Sequence, residues 1–183
     1  GAAFLDAPVS GSAVTVEQGK LAYLVGGDPA ALVRVGPYLL AIRATITHMG
    51  ALGMAVTMKV ALNLGIGVQL TAYAETVLLA EKAGISRERA VEAFARSVLA
   101  SPMLQYRSTF VLASPAEPLF DCVMMQKDLG LALELGHATG VPLPTTAIAH
   151  ELLTAARALG LGERDCAAVV DVVARLSGQR GSI

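Results

Sequence analysis

The sequence lacks the features that mark nucleic-acid-binding, zinc-binding and exported proteins. Its 14 lysines and arginines nearly balance 15 aspartates and glutamates, and no basic run interleaved with aromatic residues occurs, which favours a small-molecule partner over a nucleic acid. Cys122 and Cys166 belong to no CxxC or Cys/His spacing, which supports neither a zinc site nor a disulfide framework. No charged segment followed by an apolar run opens the chain. We therefore expect a cytoplasmic protein with two reduced core cysteines and no bound metal.

The sequence also lacks an uncharged apolar stretch of the length that a membrane span needs. Hydrophobic residues make up 54% of the chain, which is ample for a sizeable core. The most apolar stretch is uncharged only from Val60 to Ala74 and contains Asn63, Gln69 and Thr71. Because a span needs about 20 consecutive apolar residues, we expect no transmembrane helix.

Residues 1–49 have the pattern of a small α/β segment. The runs "AAFLDAPVSG", "LAYLVGGD" and "ATITHMG" are short, apolar and bounded by turn residues, which predicts three strands. The run "DPAALVRVGPYLLAI" predicts a helix with Asp28 as N-cap and Pro29 at the first helical position.

Residues 50–183 have helical periodicity throughout. The pattern predicts a first helix from about Met54 to Ala83, a second capped by Ser86, a third from about Pro102, and further helices around "MMQKDLGLALELGHATG", after "VPLPTT" and near "DCAAVVDVVARL". We therefore expect a mainly α protein, in which an all-α helical domain (50–183) opens with a very long helix and follows a small α/β fragment (1–49).

The first predicted helix is longer than the core of such a domain requires. About 30 residues at 1.5 Å each give roughly 45 Å. We infer that the helix also serves an interface, and we expect a homodimer or a higher homo-oligomer.

A turn of small residues, Ser10, Gly11 and Ser12, follows the first predicted strand. Such a turn can present backbone N–H groups and hydroxyls to an anion such as a carboxylate. Taken alone, it is more often an ordinary turn, because glycine and serine dominate turns.

A lysine and an asparagine are spaced one turn apart in the first predicted helix. Lys59 and Asn63 in "GALGMAVTMKVALN" are four residues apart, so they share one helix face. An ammonium can exchange a proton with an alcohol oxygen while a neighbouring amide orients it. The alternative is a lysine that extends to solvent beside a solvated asparagine.

A second lysine begins the run "KDLGLALE". Position alone favours a solvated surface pair of Lys127 and Asp128. The three histidines have no partner spacing with one another or with the cysteines, so we interpret them as structural or surface residues.

Taken together, these stretches resemble the β-hydroxyacid dehydrogenase family, which includes 3-hydroxyisobutyrate dehydrogenases and tartronate semialdehyde reductases. "DAPVSGS" is similar to the substrate-binding signature of the family, "GALGMAVTMKVALN" to the Gly-x-x-Gly segment that leads to its catalytic lysine, and "KDLGLALE" to its late Lys-Asp helix. "GKLAYLVGGD" and "GVPLPTT" also fit. The resemblance covers nearly the whole chain, and its helical part is similar to the C-terminal domain of 6-phosphogluconate dehydrogenases.

The resemblance implies a role for each of these residues. Ser10, Gly11 and Ser12 would bind the substrate carboxylate. Lys59 would act as general acid/base on the hydroxyl or carbonyl, and Asn63 would orient substrate and lysine. The sequence departs from the family pattern at two positions. Ser12 replaces a second glycine, and Asn63 stands alone where an Asn-Asn pair is common.

The resemblance implies NAD or NADP as cofactor, with Lys127 near it. The family's Gly-x-Gly-x-x-Gly loop does not occur in this sequence, since Gly26 and Gly27 in "VGGD" lack its spacing. We therefore expect residues 1–49 to be the C-terminal part of a truncated Rossmann-type NAD(P)-binding domain and residues 50–183 the substrate and dimerisation domain. The truncated chain is expected to be inactive alone.

Two functions from different classes follow. The first is an NAD(P)-dependent oxidoreductase that interconverts a small 3-hydroxy acid and its semialdehyde by hydride transfer, with lysine as general acid/base. The second is a non-catalytic helical dimerisation or carboxylate-binding module. A dinucleotide-loop sequence directly upstream in the gene would favour the first, and a start codon there would favour the second.

Overall fold

The computed structural model describes residues 2–42 and 44–179. The chain divides into two compact units, Gly1–Leu62 and Asn63–Ile183. The predicted domain division after residue 49 stays a prediction, because compactness alone does not define a domain.

The first unit contains a four-stranded mixed sheet. Its strands are β1 (Leu5–Asp6), β2 (Val9–Ser10), β3 (Ala22–Gly27) and β4 (Thr45–Gly50). β3 pairs antiparallel with β1 and with β2, and it pairs parallel with β4. The first predicted strand is thus divided into two short strands that both pair with β3. Leu24 and Val25 of β3 are buried, which makes this strand the centre of the unit.

Two helices accompany the sheet. α2 (Pro29–Leu40) begins as predicted, because the Asp28 carboxylate accepts a hydrogen bond of 2.9 Å from the N–H of Ala30 and Pro29 is the first helical residue. The short helix α1 (Ala13–Glu17) was not predicted from the sequence.

The prediction of a mainly α fold class is wrong. The chain forms a small α/β domain followed by helices, since four strands and two helices precede residue 51. β1 and β2 have two residues each, and their pairing depends on β3, which lies more than ten residues further along the chain. The pattern of neighbouring residues does not show this pairing, so the predicted fold class underestimated the sheet.

The long helix α3 (Met54–Lys82) has 29 residues and ends one residue before its predicted end. By length and apolar composition alone it could cross a membrane, a test that core helices of water-soluble proteins also pass. Only 22% of its most apolar window is buried within the chain.

The second unit is helical and packs around one core. Its helices are α4 (Arg87–Ala95), α5 (Pro102–Arg107), α6 (Cys122–Thr139), α7 (Pro144–Ala158) and α8 (Val169–Leu176), with 3₁₀ turns at Ser108–Val111 and Cys166–Ala168. α7 begins within "VPLPTT" rather than after it. Tyr73, Leu104, Met125, Leu129 and Val170 are among the largest fully buried side chains.

A buried ion pair lies at the start of the last helical segment. The Asp165 carboxylate accepts hydrogen bonds from Arg107 Nε (3.1 Å) and from the backbone N–H groups of Leu119 and Ala167 (3.1 and 3.0 Å). The arginine and aspartate side chains are only 5% and 1% exposed. The Cys122 thiol contacts the Asp165 carbonyl, and burial raises the pKa of this cysteine to about 12. Both cysteines, Cys122 and Cys166, are reduced and buried, as predicted.

We predict that Asp165→Asn lowers the free energy of unfolding by about 3–5 kcal/mol, because it leaves the buried Arg107 guanidinium without a counter-charge. Urea unfolding followed by circular dichroism measures the loss. Asp171→Asn is the matched control: its ion pair with Arg164 is partly exposed and should contribute about 0–1 kcal/mol. Equal losses in the two variants would contradict the prediction.

Candidate active site

The turn of small residues lies between β2 and α1. The backbone N–H of Ser12 donates to Thr15 Oγ1 (2.7 Å), so this N–H is engaged within the chain. Ser12 Oγ is buried and faces the N–H of Thr15 in a capping box, and its O–H has no acceptor among the described residues. Gly11 has a φ of +142°, and a Cβ there would overlap Thr15, so the turn requires glycine. The hydroxyl of Ser12, rather than its N–H, is the group left for an anion.

The start of α3 is fixed by Asp6, a residue that the sequence analysis did not single out. Its Oδ1 accepts from the N–H of Gly53 (2.8 Å) and its Oδ2 from the N–H of Val56 (2.9 Å). The hydrogen bond from Gly53 lowers the pKa of Asp6, burial opposes that shift, and the bond from Val56 adds to the lowering. The carboxylate thus caps the helix that carries Lys59.

This cap decides whether the β4–α3 turn could hold the pyrophosphate of NAD(P). A strand, glycines and a helix N-terminus are the usual elements of such a site. Here the carboxylate of Asp6 already accepts from the N–H groups of Gly53 and Val56. A second anion would be repelled, so this turn does not fit the pyrophosphate.

Asn63 lies one turn after Lys59 in α3 and is only 8% exposed. Its side-chain NH₂ group donates to Oδ2 of Asp128 on α6. Its Oδ1 is buried and has no hydrogen-bond partner among the described residues. The asparagine is therefore held by its nitrogen rather than by its oxygen. Lys59 itself is half-buried.

Lys127 and Asp128 are an ion pair, but the pair is not the solvated one that the sequence favoured. Lys127 Nζ lies 2.8 Å from Asp128 Oδ1, and the two side chains are 54% and 11% exposed. Asp128 is buried against Asn63, so that interpretation is wrong for the aspartate. One signal was available: Asp128 falls three residues after Met125 and four before Ala132, both on the buried face of α6.

The predicted site residues divide between the two units. Ser10, Gly11, Ser12 and Lys59 belong to the first, and Asn63 and Lys127 to the second. The structure connects Asn63 with Lys127 through Asp128. The catalytic, substrate-binding and cofactor-binding roles assigned from the resemblance stay predictions. Within residues 2–42 and 44–179, no three His, Cys, Asp or Glu side chains are placed to hold a metal ion.

Two family models match the chain. Residues 53–173 match the NAD-binding domain of NADP-dependent 3-hydroxyisobutyrate dehydrogenase, and residues 1–50 match the NAD-binding domain of 6-phosphogluconate dehydrogenase. The fold and these matches are those of the NAD(P)-dependent dehydrogenase class. The chain belongs to the β-hydroxyacid dehydrogenase family, as the sequence motifs indicated. The cofactor of the family is NAD or NADP, which confirms the predicted cofactor.

Individual relatives support the same family. The chain is 34% identical over 176 residues to 2-(hydroxymethyl)glutarate dehydrogenase of Eubacterium barkeri, covering 96% of this chain and 58% of the relative. It is 34% identical to 2-hydroxy-3-oxopropionate reductase of Escherichia coli, covering 94% and 59%. A crystal structure of 3-hydroxyisobutyrate dehydrogenase from Salmonella typhimurium superimposes with a TM-score of 0.86 at 32% identity, covering 93% and 60%. The chain thus spans less than two thirds of the length of these relatives.

We predict that the stabilisation supplied by Asp6 depends on pH. Because its pKa is lowered in the folded chain, the contribution is fully present above the ordinary aspartate pKa of about 4 and is lost as the pH falls through the lower, folded value. Asp6→Asn should therefore destabilise the chain at pH 7 and progressively less as the pH is lowered below about 4, measured by urea unfolding across a pH series.

Asp28→Asn is the control for Asp6→Asn, because Asp28 accepts with one oxygen, which asparagine can replace, whereas Asp6 accepts with both oxygens and asparagine has only one. A loss for Asp6→Asn that is the same at every pH would show that the carboxylate charge is not responsible.

Proposed function

We propose that this chain supplies the substrate-binding and proton-transfer residues of an NAD(P)-dependent oxidoreductase that interconverts a small 3-hydroxy acid and its semialdehyde. The observation that carries the proposal is the pair of Lys59 and Asn63, one turn apart on α3, with Asn63 held by the buried Asp128. Membership of a hydroxyacid dehydrogenase family supports the reaction class.

Lys59 is the proposed general acid/base. As a neutral amine it takes the hydroxyl proton when the alcohol is oxidised, and as an ammonium it returns a proton to the carbonyl oxygen when the semialdehyde is reduced. When bound, NAD(P)⁺ would accept the hydride in the oxidation and NAD(P)H would supply it in the reduction. A lysine suits this role because its charge is compact and its pKa responds readily to burial.

The substrate carboxylate is assigned to the turn of Ser10, Gly11 and Ser12. The Ser12 hydroxyl supports this assignment, since its buried O–H has no acceptor among the described residues and is costly unless a ligand accepts from it. The relatives named above act, by their names, on hydroxy acids or oxo acids, which agrees with a substrate that carries a carboxylate.

The proposal places the pyrophosphate site of NAD(P) outside these 183 residues. The sequence contains no Gly-x-Gly-x-x-Gly loop, and the β4–α3 turn is capped by Asp6. Lys127 is proposed to approach the cofactor, which its 54% exposed side chain permits. The non-catalytic alternative predicts instead that the helical unit binds a partner or a carboxylate without turnover.

We propose further that α3 is covered by a second copy of the chain. Met54, Val56 and Leu79 of this helix are 47%, 49% and 75% exposed, which is unusual for a helix of its apolar composition. Light scattering at micromolar concentration should give a homodimer or a larger homo-oligomer. A monomer under these conditions would remove this part of the proposal.

The proton-transfer role predicts the kinetics of Lys59→Ala in an enzyme that contains the whole cofactor domain. The variant should fold and bind NAD(P) nearly as before, while kcat falls by about 10²- to 10⁴-fold, the range for removal of a general acid/base. Lys59→Arg should not restore the rate, because a guanidinium stays protonated. Asn63→Ala should reduce kcat less, and the double variant should be little worse than Lys59→Ala.

The control is Lys82→Ala, which removes an exposed lysine from the last turn of the same helix and should leave kcat unchanged. If Lys59→Ala kept full turnover and lost only thermal stability, Lys59 would be structural and the non-catalytic alternative would gain support.

A further inference from the structure

The buried contact between Asn63 and Asp128 determines which end of the asparagine amide remains available. An amide has two donor hydrogens on nitrogen and an acceptor oxygen, whereas an ionised carboxylate can only accept. Since the two side chains are hydrogen-bonded, the NH₂ group must face Asp128. The asparagine oxygen is then the group without a partner among the described residues.

The ionised form of Asp128 is supported by its second contact. Lys127 Nζ lies 2.8 Å from Oδ1, while Oδ2 accepts from Asn63. Each carboxylate oxygen therefore has a donor, one of them a cation. A carboxylate held between an ammonium and an amide cannot offer a hydrogen to the asparagine oxygen, so the reversed amide orientation would place two acceptors against each other.

We propose that Asp128 is a positioning residue that fixes the amide orientation of Asn63, so that residue 63 serves the site as a hydrogen-bond acceptor. The hydrogen bond between Asn63 and Asp128 is independent of the proposed function, but its effect on substrate binding rests on that function. A carbonyl oxygen can pair with an O–H or N–H donor and not with another carbonyl. While Lys59 is an ammonium it donates to the substrate oxygen, which leaves the hydroxyl proton to pair with the Asn63 oxygen; a carbonyl has no such proton, so this contact favours binding of the hydroxy acid over its semialdehyde.

The sequence offers a direct probe of this orientation. Asn63 is the only asparagine in the 183 residues, so labelling with [¹⁵N]asparagine gives side-chain NMR signals from one residue. In the wild-type chain, exchange of the Asn63 NH₂ protons with water should be slower than that of an exposed asparagine. Hydrogen bonds to charged groups contribute enough for a difference of about 10- to 100-fold.

The test variant is Asp128→Leu, which replaces the carboxylate with an apolar side chain of similar shape and adds no asparagine. Protection of the Asn63 amide should fall by about 10- to 100-fold. The matched control is Glu134→Leu, which removes an exposed carboxylate from the same helix and should leave the protection unchanged. Fast exchange in the wild-type chain would overturn the proposal even if the variant failed to fold.

Kinetics in the enzyme with its whole cofactor domain test the consequence. Asp128→Leu should raise the KM for the hydroxy acid about tenfold or more, raise the KM for the semialdehyde less, and leave a measurable kcat in both directions. An equal rise for both substrates would contradict the acceptor role, because a merely structural change would not distinguish hydroxyl from carbonyl.

The two proposals can fail separately. If Lys59→Ala keeps turnover while Asp128→Leu releases the Asn63 amide, the positioning geometry stands and the lysine mechanism is wrong. If Lys59→Ala abolishes turnover while Asp128→Leu leaves the amide protected, the lysine mechanism stands and Asp128 does not position Asn63.

Discussion

The helical unit depends on one buried carboxylate. Asp165 accepts hydrogen bonds from the Arg107 guanidinium, from the backbone N–H groups of Leu119 and Phe120 just before α6, and from the N–H of Ala167. It therefore joins the end of α5, the start of α6 and the start of the last helical segment. Because Asp128 lies on α6, the place of the carboxylate that holds Asn63 follows from the place where α6 begins. A buried charge is costly, but here its donors fix the helix that carries Asp128.

A second carboxylate has the corresponding role in the first unit. Asp6 caps α3 through the N–H groups of Gly53 and Val56, so the helix that carries Lys59 begins at a defined residue. Among the described residues, Asp6 pairs with backbone N–H groups, whereas Asp165 also pairs with the guanidinium of Arg107. Asp6 thus caps its helix from a distant part of the chain, whereas Asp165 holds the segment before α6, whose own N-cap is the adjacent Asp121.

The family and the site answer different questions. The matches show an NAD(P)-dependent hydroxyacid dehydrogenase family, while the geometry supports roles for particular residues within it. Asn63 is supported by both. The resemblance gives it the role of orienting substrate and lysine, and in the structure its oxygen has no hydrogen-bond partner among the described residues. The N–H groups at the start of α3 already bind the Asp6 carboxylate, so the glycine turn before this helix does not fit the pyrophosphate.

The sequence by itself determined the local features of this protein. The cap of α2 by Asp28, the extent of α3 and the one-turn spacing of Lys59 and Asn63 depend on neighbouring residues, and each was predictable from them. The pairing of β1 and β2 with β3, the cap of α3 by Asp6 and the burial of Asp128 join residues far apart in the chain. Only the tertiary structure decided these, because whether a carboxylate lies in solvent or against a distant amide depends on where its partner's helix packs.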